Sequence, residues 1–300
     1  MRITSTMVTN NMLSELQNLE SQQSQLQAEV SSGLAVTQPS DNPAVFGQTI
    51  ELEGESSQLA QYQQNATDAL NTANASYSAL DSLQSIFDRA SQLGTLGTSV
   101  TDATSAGAYG EELDQLIQQA VQVANSQVGG QYLFAGTAVS TVPYTTTTDA
   151  NGNVTAVAYA GNTQQSSVPI SATSTVNPGT SGATNQGIAT LLNQMVALAD
   201  ALNGGDSSAI ASAAQAMNGS EDVLTDAVAQ NGAVQSRIQS DQTQLQSEST
   251  EMGNLISDNT NADLPTTIVN LNQAQLAYQA ALQTSASVMR LSILNYVYLE

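Results

Sequence analysis

Apolar residues recur at alternating steps of four and three along most of this chain, and this rhythm constrains its fold more than any other feature. Near the N-terminus one such stripe is interrupted only by Gln23, and its apolar members are Met12, Leu16, Leu19, Leu26 and Val30. Near the C-terminus a second stripe consists of Ile268, Leu271, Tyr278, Leu282 and Met289. This spacing places side chains on one face of an α-helix, so we predict an amphipathic helix at each end of the chain.

Two longer patterns of the same kind occupy the middle of the chain. The first covers residues 59–90, is rich in alanine, and is expected to end at Gly94, Gly97 and Thr98. The second covers residues 210–255 in one heptad frame and, as a single helix, would span roughly 70 Å. A long helix cannot bury its apolar stripe alone, so we predict that these two segments pair antiparallel. The two terminal helices are expected to pair with each other for the same reason.

Shorter helical patterns and turn signals separate these segments. Helices are predicted over 111–123 and 188–202, and Gly33 is expected to end the first helix of the chain. A break is predicted over 258–265. A rigid turn motif is formed by Pro39, Ser40, Asp41, Asn42 and Pro43. In this motif Asn42 is placed to cap a new helix whose first residue is the second proline.

Helical periodicity fades between about residues 129 and 187, where Thr, Ser, Gly and Val dominate. Short strands are predicted at 131–134, 154–159 and 167–170. Asn151-Gly152 between β-prone runs is typical of a hairpin turn. This region therefore indicates a small β-rich insertion.

The predicted fold class is mainly α with a small β-rich insertion. We expect a long antiparallel helical bundle or coiled coil with paired terminal helices, in an elongated, rod-like molecule. Three domains are predicted. Residues 1–43 with 258–300 form a terminal coiled-coil assembly domain, 44–137 with 186–257 a long-helix rod domain, and 138–185 a β-rich outer insertion.

The composition excludes several classes of function. The chain is 40% hydrophobic, enough for a buried core, but has only four cations, all arginine, against 26 carboxylates, for a net charge of −22. Nucleic acids and anionic membranes are bound through Lys and Arg, so neither is an expected partner. Because Cys, His and Lys are absent, we predict no metal site, no cofactor and no catalytic nucleophile of the usual kinds.

The same sequence lacks the signals of membrane insertion and of cleaved secretion peptides. No apolar run approaches the roughly 18 residues that a membrane helix needs. The opening segment Met1–Thr6 has one basic residue and no apolar stretch behind it. We therefore expect a soluble protein that is either cytosolic or exported without a cleaved signal peptide.

One enzymatic alternative is a carboxylate-dependent hydrolase on a helical scaffold. Its candidate acid–base groups are Glu51, Glu53, Glu55, Glu111 and Glu112. Such clusters are more often solvated helix faces, and the absence of Trp removes a sugar-stacking platform. Asp149, Asn151 and Asn153 resemble the start of a calcium loop, but the Gly and Glu required later in that loop are missing. Hairpin-turn chemistry is the better interpretation of these three residues.

Several stretches of this chain resemble the flagellin superfamily. They are Met1–Thr6, Ser32-Gly33 with Pro39–Pro43, Gly130–Thr137, Tyr159–Asn162, Asp263-Leu264 and Leu291–Tyr296. More narrowly they resemble the hook-associated protein 3 family, whose members form the second hook–filament junction layer. The similarity extends from residue 1 to about 298 and is weakest between 138 and 185. Flagellins usually differ from this chain at the opening, the turn and the end, which favours the hook-associated protein 3 family. A minor or divergent flagellin is the alternative.

The resemblance implies a non-enzymatic structural adaptor of the bacterial flagellum, located outside the cell at the hook–filament junction. The implied partners are further copies of the chain in a ring, the first junction protein, flagellin, an export chaperone and the flagellar type III export apparatus. The two terminal stripes would pack against each other within a subunit and against neighbouring subunits. On this hypothesis assembly works by burying terminal amphipathic helices.

Overall fold

The structure, a computed structural model, describes residues 5–100 and 102–297 and is mainly α-helical. The helices within these residues are α1 (Ser5–Ser32), α2 (Pro43–Ser99), α3 (Ala103–Ala124), α4 (Gly182–Gly204), α5 (Ser207–Asn218), α6 (Asp222–Thr260) and α7 (Leu264–Val297). The strands are β1 (Gln127–Val128), β2 (Gln131–Tyr132), β3 (Tyr144–Thr148), β4 (Val154–Tyr159), β5 (Val168–Pro169) and β6 (Thr175–Val176). This content confirms the predicted fold class of helices with a small β insertion. The chain forms two compact units, Met1–Ser57 with Ser249–Glu300 and Gln58–Glu248.

The first unit is built on α1 and α7, which pack against each other. Gly33 ends α1 in the left-handed region, with φ of 75°, as expected for a helix stop. The amide of Ala262 donates to the Gly33 carbonyl at 2.9 Å, and the amide of Ala35 donates to the Thr260 carbonyl at 2.7 Å. These bonds join the end of α1 to the start of α7, so the two helices run antiparallel. The predicted pairing of the terminal helices is therefore confirmed.

In the second unit α2 and α6 also run antiparallel, as predicted. The Gln63 side-chain amide donates to the Leu245 carbonyl at 3.1 Å, and that of Gln235 donates to the Ala73 carbonyl at 3.4 Å. The partner numbers fall on one helix as they rise on the other, which defines the antiparallel direction. The apolar residues buried along this seam, with two from the β insertion, are Ala66, Ala69, Ala73, Ile170, Val176, Ile238 and Leu245. The alanines keep this seam narrow.

The largest core of the second unit lies where α3, α4 and α5 meet the C-terminal half of α2. α4 packs on both α3 and α5 and contacts β4. The core side chains with less than 5% exposure include Phe87, Leu93, Leu113, Ile117, Ile188, Leu192, Met195, Leu198, Leu202 and Met217. Burying each such side chain stabilises the fold by about 1.5–3 kcal/mol relative to leaving it exposed.

Two details of the helices differ from the sequence pattern. α2 ends at Ser99, one residue after the predicted stop at Thr98, but Gly94 and Gly97 lie before its end. A Cβ at Gly94 would lie 3.0 Å from Leu198 Cδ2, and one at Gly97 would collide with Leu202, so both glycines permit close approach of α4. The long pattern over 210–255 is also not one helix, because α5 ends at Asn218 and α6 begins at Asp222. A heptad stripe fixes the buried face of a segment but does not require an unbroken backbone.

The β insertion consists of antiparallel two-stranded pairs, β1 with β2, β3 with β4, and β5 with β6. The predicted strand at 154–159 coincides with β4, and the predicted hairpin turn contains Gly152 with φ of 91°. The predicted strands at 131–134 and 167–170 shrink to the two-residue strands β2 and β5. Short strands without a third neighbour depend on the helices beneath them for stability.

Candidate assembly surface

The turn motif after α1 is fixed by its own side chains. The Asp41 carboxylate accepts from the backbone amides of Thr37 and Gln38 at 3.0 and 2.9 Å. These two bonds, with the Thr37 amide as the largest contribution, lower the pKa of the Asp41 carboxyl. Asn42 Oδ1 accepts from the Val45 amide at 3.3 Å, and α2 begins at Pro43 as predicted. Pro39 and Ser40 are exposed in the same turn. This segment is therefore an ordered turn between α1 and α2.

The N-terminal stripe lies on one side of α1. Met12, Leu16, Leu19, Leu26 and Val30 are all half-buried, while most positions between them are exposed. Half-buried side chains along one stripe are typical of a helix that packs against a single neighbouring helix. The structure therefore brings these five residues together on the side of α1 that is least exposed.

The C-terminal stripe divides between two faces of α7. Leu271 and Tyr278 are half-buried, whereas Ile268, Leu282 and Met289 are 45%, 44% and 49% exposed. Among the α7 side chains described up to residue 290, the buried and half-buried positions other than Gln275 are Thr267, Leu271, Ala274, Tyr278, Ala281, Ser285 and Val288. These positions alternate in steps of four and three, so the seam of α7 consists mainly of small residues. Sequence reasoning missed it because large apolar residues were weighted above Ala, Ser and Thr; the spacing itself was the available signal.

Exposed large apolar residues are concentrated in the first unit. Ten of the fourteen large hydrophobic residues exposed in the described part of the chain belong to it. Six of the ten lie on α7, and Met7 at 57% and Leu13 at 56% lie on α1. Large apolar patches on a protein surface mark sites of interaction. The first unit is therefore the candidate assembly surface.

The carboxylates proposed for a hydrolase do not form a site. Glu51, Glu53 and Glu55 lie exposed on α2, and Glu111 is exposed on α3. Glu112 pairs with Arg89, its Oε1 lying 2.7 Å from the guanidinium Nη2. Among the described residues no group of three or more Asp and Glu side chains could hold a metal ion. Nor is any helix in the described ranges long and apolar enough to cross a membrane.

Two motifs behind the flagellin resemblance meet in the second unit. The Tyr159 hydroxyl lies 3.0 Å from the Phe134 carbonyl and 2.9 Å from the Asn162 carbonyl. Asn162 Oδ1 accepts from the Thr137 amide at 2.9 Å, and a Cβ at Gly161 would collide with the Tyr159 ring. These bonds join Tyr159–Asn162 to Gly130–Thr137. The resembling segment 1–4 lies outside the described residues, as do the side chains of 5–6 and 291–296.

Comparison with known protein families indicates the class of protein to which the N-terminal region is similar. Residues 3–139 match the family described as the bacterial flagellin N-terminal helical region. The N-terminal part of this chain thus matches a flagellin-type helical region, which confirms the resemblance to the flagellin superfamily. No curated protein sequence matches the chain significantly.

Comparison with solved structures identifies the fold more specifically. A flagellar hook-associated protein of Vibrio parahaemolyticus is 18% identical, with a TM-score of 0.63 over 74% of this chain and 100% of that one. FlgL of Bacillus cereus is 19% identical, with a TM-score of 0.56 over 69% and 98%. FlgL of Xanthomonas campestris is 17% identical, with a TM-score of 0.57 over 69% and 99%. The chain therefore has the fold of these flagellar hook-associated proteins.

Proposed function

We propose that this protein is a structural adaptor of the bacterial flagellum that joins the hook to the flagellin filament. The observation that carries the proposal is the concentration of exposed apolar side chains on α1 and α7, within a fold shared with flagellar hook-associated proteins. The adaptor acts by binding, not by catalysis. It assembles by burying its terminal helices, which are helices α1 and α7, among copies and neighbours.

The proposed partners follow from this role. Further copies of the chain form a ring, with the first junction protein on the hook side and flagellin on the filament side. The protein reaches its place through the flagellar type III export apparatus, with an export chaperone and without a cleaved signal peptide. The three-domain division remains our proposal, with the assembly domain at 1–43 and 258–300 and the β insertion outermost. A chain without cysteine suits passage through a narrow channel because no disulfide can lock it.

Deletion of the gene in the source bacterium tests the role. We expect cells that build hooks without filaments and release unpolymerised flagellin into the medium. Reintroducing the full chain restores filaments, whereas variants lacking 1–32 or 265–300 do not. Normal filaments in the deletion strain would overturn the proposal.

A filament subunit is the second candidate, because the matching family is described by flagellin itself. The two roles differ in copy number. Purified protein added to filament seeds elongates them without limit if it is a flagellin, and adds a short layer if it is an adaptor. Electron microscopy of seeds before and after incubation distinguishes the two.

A further inference from the structure

Asparagine is followed directly by glycine at four positions of this chain. The pairs are Asn151-Gly152, Asn203-Gly204, Asn218-Gly219 and Asn231-Gly232. Asparagine is a thermolabile residue, because the backbone nitrogen of the next residue can attack its side-chain amide. Glycine in that next place has no side chain to hinder the attack and gives the backbone the freedom to make it. The four pairs are alike in sequence, so only their structural settings distinguish them.

Asn151 and Gly152 lie exposed in the turn between β3 and β4. The Asn151 side chain forms no hydrogen bond with a residue that the structure describes. Gly152 has a φ of 91°, and a Cβ built on it would meet no atom within 4 Å. Its amide donates to the Asp149 carbonyl at 3.2 Å, the long end of the range for N–H···O bonds. Both reacting groups of this pair are therefore accessible to each other and to water.

Helices hold the other three pairs. Asn203 and Asn231 lie with their glycines in α4 and α6, and Asn218 is the last residue of α5. In an α-helix the glycine amide is bonded to a carbonyl one turn earlier, and it is not free to turn toward the preceding side chain. The side-chain amides are bonded as well, Asn203 to Asp114, Asn218 to Ser91 and Asn231 to Gln235. Attack at these pairs therefore requires local opening of the helix.

We propose that Asn151 is a site of spontaneous deamidation, through which the β3–β4 turn acquires a carboxylate as the protein ages. Hydroxide removes the proton from the Gly152 nitrogen, and that nitrogen attacks Asn151 Cγ. A bond forms between the two atoms, the Cγ–Nδ2 bond breaks, and ammonia leaves with a proton from water. Water then opens the cyclic imide at either carbonyl. The product is aspartate, or isoaspartate in which the main chain runs through the former side chain.

Deamidation changes the charge of the turn. Asp149 Oδ1 accepts from the backbone amides of Asn151 and Asn153, both at 2.8 Å. A carboxylate at residue 151 places a second negative charge beside that of Asp149. Each modified molecule therefore carries one more negative charge in the β insertion, and anion exchange can separate it from the unmodified protein. The reaction needs only water and an exposed turn, whatever the role of the protein.

Mass spectrometry of the aged natural protein compares the four pairs within one molecule. The purified full chain is incubated folded and in urea at mildly alkaline pH and is sampled over several weeks. Chymotrypsin cleaves after large apolar and aromatic residues, so each pair falls in its own peptide. The peptides are bounded by Tyr144 and Tyr159, Leu202 and Met217, Met217 and Leu224, and Leu224 and Leu245. A digest of unaged protein corrects for conversion during handling.

In the folded protein Asn151 is expected to convert at least about tenfold faster than the three other asparagines, because only those three wait for a helix to open. In urea the four rates are expected to agree within about threefold, since glycine follows each asparagine. Equal rates in the folded protein, or a helical pair that converts first, would overturn the inference. No conversion of Asn151 in the folded protein would overturn it too, as would rates that stay tenfold apart in urea.

Removal of the reacting amide gives a second test. Asn151→Ser, which keeps a residue suited to turns, is expected to remove most of the ammonia released by the folded protein and the more acidic species on anion exchange. Asn218→Ser, at a helical pair, is the matched control and is expected to leave both unchanged. Ammonia release from the Asn151 variant equal to that of the natural protein would contradict the assignment.

Discussion

Glycine occupies interior helical positions of this chain for different physical reasons. At Gly97 in α2 an added Cβ would meet Leu202 of α4, so the missing side chain is what lets the two helices approach. At Gly232 in α6 nothing lies within 4 Å of the same atom. The first glycine serves packing, whereas the second only adds backbone freedom to the unfolded chain.

These two sites predict opposite effects of one substitution. Gly97→Ala is expected to destabilise the second unit by about 1–3 kcal/mol through overpacking. Gly232→Ala is expected to stabilise it by about 0.5–1 kcal/mol, because alanine restricts the unfolded chain and fits the helix. Urea unfolding of both variants, followed by circular dichroism, measures the difference. Equal effects of the same sign would contradict this explanation.

Asp114 on α3 is a buried carboxylate. Its residue is 8% exposed, and its Oδ2 accepts from the Asn203 amide at 3.3 Å. Burial raises the pKa of the Asp114 carboxyl, and the charges of Asp200, Asp149 and Glu111 raise it further. The folded protein therefore holds this proton more tightly than the unfolded chain does.

The pH dependence follows from that difference. The stabilisation is fully present below the unfolded pKa, about 3.9, and is lost as pH rises through the folded pKa. Asp114→Asn, which cannot ionise, is expected to be more stable than the natural protein at pH 7, with the advantage shrinking toward pH 4. Urea unfolding at both pH values measures this, with Asp81→Asn, at an exposed position of α2 that does not act on Asp114, as the control. A variant that is less stable at pH 7 would contradict the assignment.

At the scale of elements, the β3–β4 hairpin is held by amide side chains that imitate a neighbouring strand. The Asn193 amide on α4 donates to the Val157 carbonyl at 2.8 Å, and its Oδ1 accepts from the Val157 amide at 2.9 Å. Asn125, after α3, makes the same pair of bonds with Tyr144, at 2.8 and 2.9 Å. At one position on each outer edge of the hairpin, the backbone amide and carbonyl are thus bonded by an amide side chain from α4 or from the end of α3. This explains how a two-stranded sheet persists.

Removal of one of these amides should loosen the hairpin. Asn193→Ala leaves the buried Val157 amide and carbonyl without partners, at an expected cost of about 2–4 kcal/mol in unfolding free energy. Hydrogen exchange at the Val157 amide is expected to accelerate strongly. Thr190→Ala, at an exposed position one turn earlier on α4, is the control and should change exchange little. Unchanged protection of Val157 in the Asn193 variant would contradict this role.

At the scale of the whole molecule, the net charge of −22 opposes association between copies. Salt shortens the range of this repulsion, with a Debye length of about 30 Å at 0.01 M and about 8 Å at 0.15 M. Apolar contacts between terminal helices are not weakened by such screening. The balance between charge and apolar contact therefore shifts toward assembly as salt increases.

Self-association of the purified full chain is accordingly expected to strengthen as NaCl is raised from 0.01 to 0.15 M and above. Sedimentation velocity at fixed protein concentration measures the shift. Variants with Leu282→Asn and Met289→Asn, at exposed positions of α7, serve as controls and should respond less. Association that weakens with salt would show that ionic contacts, rather than apolar ones, hold the copies together.

The sequence determined the elements whose signals are local. Gly33 as a helix stop, Asn42 as a cap and the Asn151-Gly152 hairpin each depend on residues close together in the chain, and each appears as predicted. Packing partners are also predictable in part, because a long stripe must find another stripe. The antiparallel pairing of α2 with α6 and of α1 with α7 follows from that requirement.

Tertiary structure alone decided which side of a helix is buried and where a helix is interrupted. The α7 stripe of large residues divides between the half-buried Leu271 and Tyr278 and the exposed Ile268, Leu282 and Met289. Gly97 lies inside α2 because Leu202 needs its space, although the sequence resembles a helix end. Contacts between residues distant in the chain decide these points, and local spacing carries no information about which residue will lie opposite.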